Sequence, residues 1–145
     1  MKKKYSLLIV ILLAIATLYS CGTQGTEITT TNYEDYFFLD VKCADFNEQK
    51  GGTYRTCDGT ILISLEATTG VEVDVDSVAV KITLDSPWSF GGASTKTVSL
   101  EKDGSGDVWF AQVDCSAKSM LVNTSISLSR SDISVRVTDI SGYAN

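Results

Sequence analysis

Histidine is absent from the 145 residues. That removes the commonest general base, the usual zinc ligand and every Ser/His or Cys/His catalytic pair. Basic residues are also scarce and unclustered outside the first turn of the chain: twelve Lys and Arg stand against eighteen Asp and Glu, for a formal charge of −6. Three of those cations are Lys2, Lys3 and Lys4, so a chain without its leader keeps nine against eighteen, a charge of −9. Nucleic acid and anionic lipid both require clustered Lys or Arg, and neither is an expected partner. Long apolar runs are missing too. The one candidate, Leu7 to Leu18, would span only ~18 Å as a helix, against a hydrocarbon core of ~30 Å. No segment carries a helical apolar stripe.

What is present begins with organisation at the N-terminus. A basic n-region (Lys2–Lys4), the apolar run and a small-residue exit form the pattern of a signal peptide over residues 1–20. Leu18-Tyr19-Ser20-Cys21 then resembles the lipobox of bacterial lipoproteins. Leu18 and Ser20 match its aliphatic and small positions, while Tyr19 stands where a small or β-branched residue is usual. The resemblance implies cleavage before Cys21 and acylation of that cysteine with palmitate-type chains. It also implies export and anchoring at the outer membrane or the outer face of the cytoplasmic membrane. Two competing readings are ordinary secretion, with cleavage after Ala14-Ile15-Ala16, and an uncleaved anchor. One acyl chain binds a membrane marginally and two bind it firmly, so a multiply acylated Cys21 would stay in place.

Gly22 to Asn32 is small, polar and non-periodic, and reads with Cys21 as a flexible tether over 21–32, with an r.m.s. reach of ~17–20 Å. From Tyr33 the apolar period is two. Phe37/Leu39/Val41/Cys43, Ile61/Ile63/Leu65/Ala67, Val78/Val80/Ile82/Leu84, Trp109/Ala111/Val113/Cys115, Val122/Thr124/Ile126/Leu128 and Ile133/Val135/Val137 each describe a half-buried strand. Val71, Val73 and Val75 occupy the opposite phase from Val78, which predicts a bulge or break near Ser77. Turn signals fall at Gly51-Gly52, Asp58-Gly59, Thr69-Gly70, Gly91-Gly92, Asp103–Gly106 and Ser129–Asp132. About seven strands with regular turns predict an all-β domain over 33–145, an antiparallel β-sandwich. In architecture it resembles immunoglobulin-like and fibronectin-type modules; the cysteine/tryptophan/cysteine spacing of antibody domains is absent.

With Cys21 acylated, Cys43, Cys57 and Cys115 remain, and an exported compartment permits one disulfide plus a free thiol. Cys43–Cys57 is the preferred pair, worth ~3 kcal/mol for a loop of about 15 residues, with either pairing to Cys115 left open. Three cysteines without histidine or C-x-x-C spacing make a poor zinc site. Glu72, Asp74 and Asp76 share one strand face; neighbouring loops would have to complete any calcium shell, and a solvated edge explains them more simply. Asp103-Gly104-Ser105-Gly106-Asp107 has the look of an EF-hand start, but Val108 replaces the required glycine and a hairpin turn fits better. Ser99 and Lys102 match S-x-x-K spacing by coincidence, because on a strand they face opposite ways.

Trp88 and Phe90, in a loop with Pro87 and Gly91-Gly92, are the candidate ligand-binding residues. Loops at the ends of a sandwich carry its binding functions, and exposed aromatics there would stack a sugar or anchor a protein. The simpler reading, preferred for Trp88, is that it folds back to cap the core. No cofactor or metal is expected. The resulting expectation is a lipid-anchored, non-enzymatic binding or structural module of the cell envelope, with the membrane as partner through Cys21 and a protein or glycan as ligand. An accessory subunit using free edge strands is the second reading, and a carboxylate-dependent glycan-active enzyme the third.

Overall fold

In the computed structural model the described residues are 25–104, 106–119 and 126–145, with the side chain of Asn47 left aside. The leader segment 1–20, Cys21 and the strand expected across Val122 and Thr124 lie outside them. The strands are β1 (Thr26–Ile28), β2 (Phe37–Gly51), β3 (Tyr54–Ala67), β4 (Val73–Leu84), β5 (Trp88–Ser89), β6 (Thr95–Lys102), β7 (Val108–Ser119) and β8 (Ile133–Ala144). All pairings are antiparallel, and the order is β1-β8-β4-β6-β7-β3-β2 with β5 beside β7. The expected all-β antiparallel sandwich is what forms.

One sheet holds β1, β8, β4 and β6, and the other β7, β3, β2 and β5. β6 belongs to both: Thr95–Leu100 pair with β4, and Glu101 and Lys102 pair with Phe110 and Trp109 of β7. The sheet curls here rather than breaking. Alternation does the packing. Ile61, Ile63 and Leu65 of β3 are fully buried, as are Val80 and Ile82 of β4, while their chain neighbours face outward. Each such side chain contributes ~1.5–3 kcal/mol by leaving water.

The phase slip at Ser77 is a bulge, with a register shift between Val75 and Ser77 opposite β8. Two readings are corrected. Asp58-Gly59 is no turn: β3 runs straight through it and the hairpin turns at Gly52-Thr53 instead. Ile126 and Leu128 are buried but not in a strand. A third difference is at the entry. The segment taken as tether contains β1, which pairs with the C-terminal end of β8 (Thr26 opposite Ala144, Ile28 opposite Gly142), and Ile28 is 1% exposed. Folded structure therefore begins upstream of Tyr33.

These pairings give the sandwich two ends. At the base lie the start of β1, the end of β8 and the β3–β4 and β6–β7 turns, closed inside by Phe37 edge-on to Trp109 at 5.5 Å. At the top lie the β2–β3 hairpin, β5 and the residues leading into β8.

Candidate functional site

The expected aromatic loop is the first test. The Ser86–Pro87 peptide is cis, and Trp88 then enters β5, opposite Ala117. Trp88 is 3% exposed and its indole Nε1–H donates to the Ser127 carbonyl at 3.3 Å. Its ring lies over Gly59, where a Cβ would sit 2.9 Å from Trp88 Cζ3 and 2.8 Å from Leu128 Cδ2. The glycine is a vacancy for an indole, and Trp88 takes the core-capping place preferred for it. Phe90 is half-buried against the core, with Lys96 Nζ 6.0 Å above its ring. The pair is thus corrected as a ligand platform: Trp88 plugs the top of the sandwich, and only part of Phe90 faces solvent.

Cys43, Cys57 and Cys115 surround the same plug and are all free thiols. The preferred Cys43–Cys57 bridge is corrected by register. Cys43 lies opposite Ile61, four residues from Cys57 along β3, a separation of ~13 Å at 3.3 Å per residue. Disulfides need Cα atoms within about 7 Å. Cys115 lies opposite Gly59 instead. Burial, then the charge of Asp114, pushes the Cys115 thiol up to about 11, with lesser contributions from Cys43, Cys57 and Asp58. Burial, then Asp45, Glu48 and Asp58, also raises Cys57. Thiols held protonated at neutral pH are poor nucleophiles.

The other candidates resolve simply. Glu72, Asp74 and Asp76 are exposed along the start of β4, and among the described residues no three carboxylate or thiol groups are arranged to hold a metal ion. Asp103 to Val108 closes the β6–β7 hairpin through Asp103 N–H to Val108 O at 2.8 Å. Lys102 of the S-x-x-K match lies over the Trp109 ring, 5.2 Å away.

What sequence reasoning missed lies on the outward face of the β8-β4-β6 sheet. Lys81 lies directly opposite Arg136 on β8, and Thr83 directly opposite Ser134. On the other flank Thr97 faces Lys81 and Thr95 faces Thr83. The result is a grid of two rows, Arg136-Lys81-Thr97 and Ser134-Thr83-Thr95, with no carboxylate and no apolar side chain in it. Neighbours within a row are ~4.5–5.5 Å apart at Cβ, and the rows ~6.6 Å apart. A hollow of about 330 Å³ lies over it, lined by Lys81, Thr83, Ser134, Val135 and Arg136. Among the described residues neither cation has an ion-pair partner; the ion pairs there are Lys42–Asp40 and Arg55–Glu48.

Arg136 also borders a second hollow of about 490 Å³, with Thr30, Tyr33, Glu34, Val137 and Thr138, where residues 30–34 and β8 begin an open seam. A third, of about 400 Å³, continues along that seam past Phe37, Leu39 and the exposed Phe38. The opposite outward face, on β2, β3 and β7, differs in character: it carries Asp40, Asp58, Glu66 and Asp114 together with exposed Leu62 and Phe110. The outward phase of Lys81 and Arg136 was readable from their apolar neighbours, but their juxtaposition depends on register.

No family model matches the chain, and no curated protein and no solved structure matches it.

Proposed function

We propose that this protein is a lipid-anchored binding module of a bacterial cell envelope, held to the membrane through Cys21 and presenting a rigid β-sandwich to a ligand outside. The observation that carries the reading is Leu18-Tyr19-Ser20-Cys21 behind a basic and apolar leader, a pattern of export and acylation. Support for a short connection comes from β1. It begins at Thr26, five residues beyond Cys21, so the chain between them reaches at most ~18 Å. An acylated Cys21 would therefore hold the base of the sandwich close to the membrane, with the top and the sheet faces directed away.

The test is Cys21→Ser in the native host or a bacterial expression strain fed an alkyne-bearing fatty acid. The unsubstituted chain is expected in the membrane fraction, labelled and shortened by its leader. The variant is expected to lose the label and leave the membrane pellet after a high-salt wash. A variant that stayed in the pellet at unchanged size would overturn the proposal.

A further inference from the structure

Two cations placed directly opposite each other on antiparallel strands repel, and like charges in this geometry destabilise a sheet. Lys81 and Arg136 are so placed, and no carboxylate relieves them by ion pairing among the described residues. Asp139 of β8, opposite Ala79 in the adjoining row, and Glu101 of β6 share this outward face, yet neither forms an ion pair with Lys81 or Arg136. The flanking positions are hydroxyls instead: Thr83, Ser134, Thr95 and Thr97.

We infer that the Lys81/Arg136 grid is a binding site for the carboxylate groups of an acidic polysaccharide, a deeper form of the binding-module reading and resting on it. Arg136 offers a planar fork suited to a carboxylate, and Lys81 a mobile point charge beside it. The four hydroxyls both donate and accept, as the hydroxyls of a sugar ring require. The two rows carry no apolar or aromatic side chain, and Val135, the one apolar residue lining the hollow over them, is packed against the core, which leaves little to serve as the apolar centre of a protein interface. Two cations are also too few for a nucleic acid, whose binding scales with the number of phosphates neutralised. Position argues against a lipid headgroup. Val73 marks the base, opposite Ala144, and Lys81 lies eight residues up β4, ~26 Å away at 3.3 Å per residue.

The experiment uses the full chain in nonionic detergent, with polygalacturonate as probe, measured by calorimetry at low and moderate salt. Polygalacturonate is expected to bind, more weakly as salt rises, while neutral dextran does not. The double variant Lys81→Gln/Arg136→Gln is expected to lose at least about tenfold in affinity, the equivalent of one charge-assisted hydrogen bond. Because the repulsion is removed, its Tm is expected to hold or to rise by about 1–2 °C. A merely structural pair would lower it. Undiminished binding by the double variant, absence of polygalacturonate binding, or equal binding of polyglutamate or of inorganic phosphate would each overturn the inference. Cys21→Ser is expected to leave polygalacturonate affinity unchanged, so failure of the anchor and failure of the site are read separately.

Discussion

The two ends of the sandwich are closed by the same residue type used in different ways. At the top, Gly59 of β3 makes room for side chains: Trp88, Leu128 and the Cys115 sulfur, the last 3.1 Å from where a Cβ would be. At the base, Gly142 of β8 makes room for backbone. It sits between Ile28 of β1 and Val75 of β4, and a Cβ there would meet the Asp74 carbonyl and lie 2.7 Å from Val75 Cα. Side chains have rotamers to yield with, and a strand backbone in a ladder does not. The top is therefore a packed plug that tolerates some repair, while the base is a fixed junction of three strands.

That contrast is open to direct attack. Gly142→Ala is expected to be the most damaging single change, leaving little folded protein by circular dichroism, because β4 cannot retreat without abandoning β8. Trp88→Ala should follow, at ~3–5 kcal/mol in denaturant titration, through the cavity left over Gly59. Ile28→Ala should cost ~2–4 kcal/mol; a cost near zero would show that β1 is not integral to the base. Gly59→Ala should cost only ~1–3 kcal/mol, the range for overpacking that neighbours relieve. If Gly59→Ala and Gly142→Ala proved equally damaging, the distinction between yielding and fixed ends would fail.

The smallest effect is one of pH. Cys115 is raised to about 11 in the folded chain, so the unfolded chain gives up that proton first as pH rises. Stability should be unaffected by this group below pH ~8.5, the ordinary cysteine value, then fall as pH climbs towards 11. Cys115→Ser should flatten that alkaline limb, as read from urea midpoints.

Much of the fold was legible because apolar residues alternate wherever a strand has one dry face. Even the bulge near Ser77 announced itself, since Val75 and Val78 cannot share a face on an unbroken strand. Only the Ser99–Lys102 end of β6 was read as strand and its start at Thr95 was not, because Leu100 is its only buried residue and it shows little alternation. β1 was hidden for a different reason: Thr26-Glu27-Ile28 is polar and short, and its burial depends on residues 142–144 at the far end of the chain. The thiols and Trp88 were identified as notable, but their arrangement rests on register, which composition does not specify. The Lys81–Arg136 opposition was invisible on the same ground. Each cation alone looks like an ordinary solvated side chain, and only pairing makes them a site.

The position of β8 has a consequence for how the domain is made. The last strand is not an edge: it lies between β1, the first strand of the described fold, and β4. Closing the base joins positions nearly the full length of the domain apart, and such long-range contacts repay their loop-closure entropy late. A chain that stops short of Ile133 leaves β1 without a partner and one edge of β4 bare. The fold therefore closes only once β8 is made, and a product lacking it exposes strand edges that proteases and aggregation can seize.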